Sequence, residues 1–389
     1  VTTQHRLISL DVLRGIIIVL MALDHTRHYW AITPFLPTDL DHTSPAWFFT
    51  RWITHFCAPL FVFLTGISAY LYREKVQSKL LLRNYLLSRG LWLILLEVTV
   101  INFSWQFAFD VVFLQVIWVI GWSMILLAGL IYLPMKLLAA VSLSVIAFHN
   151  LLNDSEITSA MGPQLAWLWH LLHMPAVVGQ GNQLQVFIVY PLIPWFAVMA
   201  LGYCIAPVFT ISSASRYKAL ASCGLISIAL FIILKVSNAY GDPNQFEVQA
   251  SVISSLMSLL NNTKYPPSLL YLLMTIGPGL LLLIAIEKVS DLNPKTLWLN
   301  WLRVFGGVPL FYYLVHIPVI NLSSKLFAWL QYGRTVNFLE NPETWPALYQ
   351  PNLWLAYLMW VILTITLYLP CKYYLNTKRT SQNWLVKYL

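Results

Sequence analysis

Runs of about twenty apolar residues follow one another along this chain, parted by short polar stretches, from residue 7 to residue 375. A helix rises about 1.5 Å per residue and needs roughly 20 mostly apolar residues to cross a bilayer core. The pattern predicts ten such helices, near 7–30, 53–72, 86–105, 112–132, 135–151, 187–209, 217–236, 268–286, 304–326 and 353–375. Only Leu133 and Pro134 separate the fourth from the fifth. The expected fold is all-α, a polytopic transmembrane helical bundle in one membrane domain over 1–389, with no soluble domain and no internal repeat. Breakers interrupt the pattern: Gly277-Pro278-Gly279 within the eighth helix, Gly306-Gly307 and Pro309 opening the ninth, Pro191 and Pro194 opening the sixth. Broken backbone survives at membrane depth only where protein or a cavity satisfies the freed groups. These breaks mark either packing kinks or a cavity lining.

Composition sharpens the picture. Of 389 residues, 59% are hydrophobic and 10% charged, against about 25% charged in soluble proteins. The first apolar block, Gly15 to Leu23, runs into Asp24-His25-Thr26-Arg27-His28 rather than a small-residue cleavage site, so the first helix is expected to be retained. Cys57, Cys204, Cys223 and Cys371 fall in or beside apolar stretches without CxxC spacing and read as packing thiols.

Charge orients the bundle. With the N-terminus cytoplasmic, 16 of the 23 Lys and Arg residues fall on cytoplasmic segments, among them Arg6, Arg73, Lys75, Lys79, Arg83, Arg89 and Lys295. Six fall outside (Arg27, Arg51, Lys235, Lys264, Lys325, Arg334), and Arg14 lies within the first helix. The positive-inside rule then puts both termini in the cytoplasm. The formal charge of +8 is a topology signal with some attraction to anionic lipid, and no soluble basic face exists for nucleic acid. Long segments, near 31–52, 152–186, 237–267 and 327–352, lie outside, whereas the cytoplasmic connections are short except for 73–85 and 287–303. The 152–186 loop carries Asp154, Glu156 and a run from Leu165 to His173 that suits an interfacial helix.

Ionisable residues inside a membrane are functional suspects, and here they concentrate in the first helix. Asp11, Arg14, Ile18, Met21, His25 and His28 are spaced 3, 4, 3, 4 and 3 residues apart and form one stripe. Arg14 and His25 share a face, about 16 Å apart along the axis. Two readings stand for each end: Asp11 and Arg14 as an interfacial i,i+3 pair with Arg14 snorkelling, Asp24, Arg27 and His28 as a solvated helix end, or both as parts of a site. Glu97 lies at about the depth of Arg14, and a buried pair between them is expected to serve structure first. His55 and His316 sit in apolar helices at depths similar to His25, as interhelical hydrogen bonders or as catalysts, and Gln115 is an uncharged counterpart. A metal is not expected: His25 with His28 and His170 with His173 sit at i,i+3, yet no HExxH, CxxC or third spaced ligand accompanies them. Phosphate loops, dinucleotide fingerprints and GxSxG elbows are missing too.

Ser9-Leu10-Asp11-Val12-Leu13-Arg14-Gly15 followed by Asp24-His25-Thr26-Arg27 resembles the opening of the family related to heparan-alpha-glucosaminide N-acetyltransferase. The run from Phe49 to Gly66, Tyr190-Pro-Leu-Ile-Pro-Trp195, Lys264-Tyr-Pro-Pro-Ser268 and the stretch from Gly306 to His316 extend the likeness to its bacterial members. The resemblance implies a membrane acyltransferase of the bacterial inner membrane. Acetyl-CoA would be its cytoplasmic co-substrate and a carbohydrate or glycolipid its acceptor at the outer face. The Arg14 to His25 spacing is also similar to that of wider polysaccharide acyltransferases, whose histidine is the presumed catalyst. The family's lysosomal enzyme instead carries asparagine where this chain has His25, with its active histidine in the first lumenal loop, where this chain offers His42.

On this reading His25 is the general base, oriented by Asp24 or an outer-loop acid, with His55 and His316 as further catalytic candidates. Arg14, with Asp11 and Glu97, holds the carrier arm, which spans on the order of 15–20 Å extended. The basic 73–89 segment would greet the nucleotide. The rival reading is a transporter or lipid or glycan exporter with a charged path, and the sequence leaves a homo-oligomer open. The orientation predicts that a Glu156→Cys variant reacts with an impermeant thiol reagent added outside, while Lys79→Cys does not; the reverse pattern would invert the bundle.

Overall fold

The computed structural model describes residues 8–153, 155–179, 184–293, 296–337 and 341–388. Arg6, Asp154, Lys295 and the first residue of the 7–30 span lie outside the described residues. In chain order the elements are α1 (Ile8–Trp30), α2 (Pro45–Thr54), α3 (Cys57–Val76), α4 (Lys79–Leu96), a π-helical turn (Glu97–Ile101), α5 (Asn102–Gln106), β1 (Val111–Leu114), α6 (Val116–Leu130) and α7 (Met135–Phe148). After these come α8 (Ser155–Leu172), β2 (Ala176–Val178), β3 (Gln185–Ile188), α9 (Trp195–Ile205), α10 (Ser213–Ser237), α11 (Val252–Leu260) and α12 (Leu269–Leu292). The chain ends with α13 (Leu297–Gly307), α14 (Pro309–Tyr332), α15 (Leu353–Thr380) and α16 (Trp384–Tyr388). Helix starts follow local chemistry: the side chains of Ser78, Ser212, Ser251, Ser268 and Asn352 each accept from a first-turn N–H.

Among the described residues, seven helical stretches are long and apolar enough to cross a membrane: 45–76, 79–106, 135–152, 213–237, 269–292, 309–332 and 353–380. Two shorter apolar helices, Val116–Leu130 and Trp195–Thr210, and the charged α1 complete the bundle. The fold is all-α and polytopic, with one small exception. A three-stranded sheet in the order β1-β3-β2 pairs β1 parallel to β3 (Val111 with Gln185, Leu114 with Ile188) and β2 antiparallel to it. The spans expected at 112–132 and 187–209 therefore begin as strands. Pro191 and Pro194 keep the chain from turning helical before Trp195. At the other site Gln115, extended at φ −109° and ψ −152°, starts α6 only after Leu114.

Two expected cytoplasmic connections are mostly helix. Only Gln77 and Ser78 separate α3 from α4, and the 287–303 segment holds the end of α12 and most of α13. Gly306-Gly307 closes α13 rather than opening the ninth span, and α14 starts afresh at Pro309. The break inside α12 serves packing, because Gly277 meets α10 at Gly224 and Ser227, while Gly279 meets Leu60. In the 152–186 loop, α8 runs from Ser155 to Leu172 with a non-helical Gly162.

α1 is the hub, packed by α2, α3, α12, α13, α14 and α15. Sixteen of its 23 residues are buried, against five of 25 in the peripheral α10, so lipid cannot be its surroundings. Without a hydrophobic drive between helices in lipid, close packing needs small residues at the crossing. A Cβ on Gly306 would lie 1.7 Å from the Asp11 carbonyl oxygen, and one on Gly15 would lie 2.1 Å from that of Leu302. The same reciprocity joins α3 to α9 through Gly66 and Gly202. Gly306→Ala should therefore force α1 and α13 apart and abolish monodisperse protein in detergent. Gly129→Ala, with nothing within 4 Å, should express as wild type; equal behaviour of the two would refute the close-crossing account.

Candidate active site

The stripe on α1 is the wall of two cavities. Arg14, Ile18 and Met21 line a cavity of about 280 Å³, and Met21, His25 and His28 line a second of about 640 Å³, the larger within the size range of ligand sites. Met21, Phe61, Val116 and Tyr313 belong to both linings. These four side chains are the septum between a His25 chamber and an Arg14 chamber.

In the His25 chamber the key contact is between two rings. His25 Nδ1 lies 2.7 Å from His316 Nε2, and His316 Nδ1 lies 2.8 Å from the Tyr312 carbonyl oxygen. A carbonyl only accepts, so His316 carries its proton on Nδ1 and, when neutral, offers Nε2 as acceptor. His25 must then donate from Nδ1, which leaves its Nε2 as the basic nitrogen. The network thus assigns both tautomers. His25 is partly accessible in the chamber, whereas His316 is fully buried behind it. Trp105 meets the edge of His25 at 5.0 Å, and Asn321 donates to the Trp105 carbonyl at 2.8 Å, which holds α5 against α14.

Asp24 does not orient His25. Its two oxygens take Arg27, at 3.0 Å, and Arg51, in a shorter contact. This Arg-Asp-Arg cluster lines the chamber together with His55, whose Nδ1 is buried without a partner. The sequence carries a signal for Arg51, a cation within an apolar run, although charge counting alone makes it only an outer base. His42 is elsewhere: it is exposed, bonded to Asp39 at 2.8 Å, and outside the chamber lining.

In the Arg14 chamber, Arg14 donates to Asp11 at 2.7 Å and to Ser68 at 2.8 Å. Asp11 acts through Arg14 and is not part of the lining. Arg89 lines the same chamber from α4, so of the basic 73–89 segment it is the member facing the cavity. Glu97 lines neither chamber and does not pair with Arg14. Its Oε1 accepts from the Gln115 backbone N–H at 3.0 Å, at the start of α6. Asn102 bonds the carbonyls of Glu97 and Phe113 and accepts from the Phe113 N–H. Glu97 is a helix-start anchor, favoured there by the positive end of α6, and it places Phe113, Gln115 and Val116 on the chamber wall.

Tyr313 on the septum went unnoticed in the sequence, where aromatic residues are too frequent to stand out. Its hydroxyl is buried without a partner, and its ring lies 6.0 Å from that of His25. Among the described residues no three His, Cys, Asp or Glu side chains converge to hold a metal. His170 bonds the Met174 carbonyl and His173 bonds Asn153 instead.

A sequence profile described as heparan-alpha-glucosaminide N-acetyltransferase, catalytic, matches residues 6–237, more than half of the chain. The chain belongs to this family. Among curated proteins no sequence matches it significantly. The heparan-alpha-glucosaminide N-acetyltransferase match takes in Arg14, His25, Asp24, Arg51, His55 and Arg89 and stops before Tyr313, His316 and Lys264. Membership makes the protein an integral membrane protein of acyltransferase type. The histidine that fixes His25 comes from beyond the matched region, so the two parts of the chain build one site. Asp24→Asn would leave two buried guanidinium groups without their carboxylate, a loss of about 3–5 kcal/mol. Thermal unfolding in detergent should show it, and an Asp24→Asn/Arg51→Gln pair should recover part of the loss; no recovery would mean the cluster is not an ion-pair unit.

Proposed function

We propose that the protein transfers an acyl group, acetyl in the first instance, from cytoplasmic acyl-CoA to a sugar or glycolipid acceptor at the outer face. The observation that carries the reading is the pair of chambers joined at Met21, Phe61, Val116 and Tyr313, with cations at one end and a tautomer-fixed histidine at the other. Arg14 and Arg89 suit the phosphates of the carrier, and the distance along α1 from Arg14 to His25, about 16 Å, suits its extended arm. The thioester carbonyl then rests at the septum.

The chemistry follows from the donors and acceptors there. His25 Nε2 takes the proton of the acceptor O–H or N–H as the nucleophile attacks the thioester carbonyl carbon. Negative charge developing on the carbonyl oxygen is met by the unpartnered Tyr313 hydroxyl. The C–S bond breaks, and the departing thiolate takes the proton back from His25. His316 is a positioning residue: its accepted hydrogen bond keeps the His25 proton on Nδ1. The placement in a bacterial inner membrane, with both termini cytoplasmic, belongs to this proposal. An exporter is the second reading, favoured by the stacking of the two chambers along α1 on either side of the septum.

His25→Ala should lose about 10²- to 10⁴-fold in transfer while still binding acetyl-CoA by calorimetry in purified protein. His316→Ala should lower kcat less and shift its pH profile, since the base survives without its fixed tautomer. His42→Ala, exposed and remote, should match wild type. Near-normal transfer by His25→Ala sinks the assignment, and a dead His42→Ala moves the catalyst into the loop.

A further inference from the structure

Two charged side chains line the Arg14 chamber, Arg14 and Arg89, and they are not equivalent. Arg14 is held by the Asp11 carboxylate at 2.7 Å and by Ser68 at 2.8 Å. Arg89 has no carboxylate at ion-pair distance among the described residues. The groups that act on it electrostatically are three phenols, Tyr85, Tyr374 and Tyr388. Its guanidinium carbon lies 5.5 Å from the centre of the Tyr388 ring. A ring face attracts a cation without neutralising it and without occupying its N–H donors.

Tyr388 belongs to α16, an element that the proposed chemistry does not use. Its hydroxyl lies 2.8 Å from Ser88 Oγ, and Ser88 gives its own proton to the Tyr85 carbonyl at 3.2 Å. Tyr388 is therefore the donor to Ser88. The Tyr374 hydroxyl of α15 donates to the Val386 carbonyl of α16 at 3.0 Å. The Tyr374 ring in turn stacks on Phe311 at 4.2 Å, next to Pro309 and Leu310 of the chamber lining. So α16 is fastened to α4 through Ser88 and to α15 through Tyr374, with Arg89 between.

α4 contributes Tyr85, Arg89 and Leu93 to the lining, four residues apart on one face. A long arginine side chain loses rotamer freedom when a ligand fixes it. A ring already fixed against its guanidinium removes part of that cost beforehand. The arrangement on Arg89 is thus a held cation with its charge and its donors still available.

We propose that Arg89 is the counter-charge to the phosphates of the carrier and that Tyr388 is its positioning residue, which makes α16 part of the donor site. The proposal rests on the acyltransferase reading and divides the labour of its two arginines. Arg14, already paired, orders the wall at Asp11 and Ser68, and the phosphate charge falls to Arg89.

The test measures binding of CoA itself to the full-length protein in detergent by calorimetry, so it needs no acceptor. Arg89→Gln should weaken CoA about 10- to 100-fold, the worth of one hydrogen bond to a charged group. Pantetheine, which keeps the arm and has no phosphate, should bind wild type and Arg89→Gln alike. With 3′-dephospho-CoA, persistence of the Arg89→Gln loss places the contact on the diphosphate, and its disappearance places it on the 3′-phosphate. Tyr388→Ala should weaken CoA about 3- to 10-fold, and Tyr388→Phe, which keeps the ring face, should stay within about twofold of wild type. Because Tyr388 acts through Arg89, adding Tyr388→Ala to Arg89→Gln should cost nothing further. Arg303→Gln removes a cation outside the lining and should bind CoA as wild type, which controls for general attraction.

Wild-type CoA affinity in Arg89→Gln or in Tyr388→Ala overturns the proposal and leaves the acyltransferase reading standing. So does a full extra loss in the double variant, since Tyr388 would then act apart from Arg89. An equal loss of CoA and pantetheine in Arg89→Gln would show a wall residue rather than a phosphate partner. A wild-type protein that does not bind CoA at all would remove the carrier from the acyltransferase reading, and this proposal with it.

Discussion

A charged side chain facing lipid is costly, and this single constraint arranges the bundle around α1. The helix carries Asp11, Arg14, Asp24 and Arg27, and six other helices close around it to keep those groups from hydrocarbon. Enclosure alone would fill the space with side chains. Instead, the stripe from Arg14 to His28 faces two chambers, where polar groups meet one another in place of lipid. The reciprocal glycine crossing with α13 brings the neighbour backbone against α1 at Asp11 and Gly15, at the Arg14 end of the stripe.

The site is assembled from segments far apart in sequence. His25 and His316 are 291 residues apart and meet at 2.7 Å, and Arg51 reaches Asp24 from α2. Glu97 and Asn102 contribute at a distance, by stapling the π-helical turn to β1 and the start of α6. That staple sets the wall formed by Phe113, Gln115 and Val116. Buried polar groups such as these rigidify a site only when their partners are in place, and most of these partners are backbone atoms.

Much of the fold was legible in the pattern of apolar runs, since period and length suffice to expect membrane helices. The exceptions have local causes. Prolines at 191 and 194 keep the chain after β3 from turning helical before Trp195, and the Val308 break with Pro309 divides α13 from α14. The stripe on α1 was legible for a similar reason: eleven residues return a helix almost to the same face, so Arg14 and His25 were bound to line up. Glu97 misled because depth in the membrane says nothing about azimuth. Its place along the chain suits a depth near that of Arg14, yet its carboxylate turns toward Gln115.

By itself the sequence determined what one helix can encode: the membrane-spanning class, the positions of the long helices, and a single face bearing a cation, two apolar residues and two histidines. Those follow from hydropathy and helical periodicity, which are local. Only the tertiary structure decided that His316 accepts from His25, that Asp24 belongs to Arg27 and Arg51, and that Lys264 joins the chamber lining beside the Tyr190 and Tyr265 rings. Each of these depends on which helices become neighbours and how they are rotated. Hydrogen bonds and ion pairs act over about 3 Å, a scale that the order of residues along the chain does not convey.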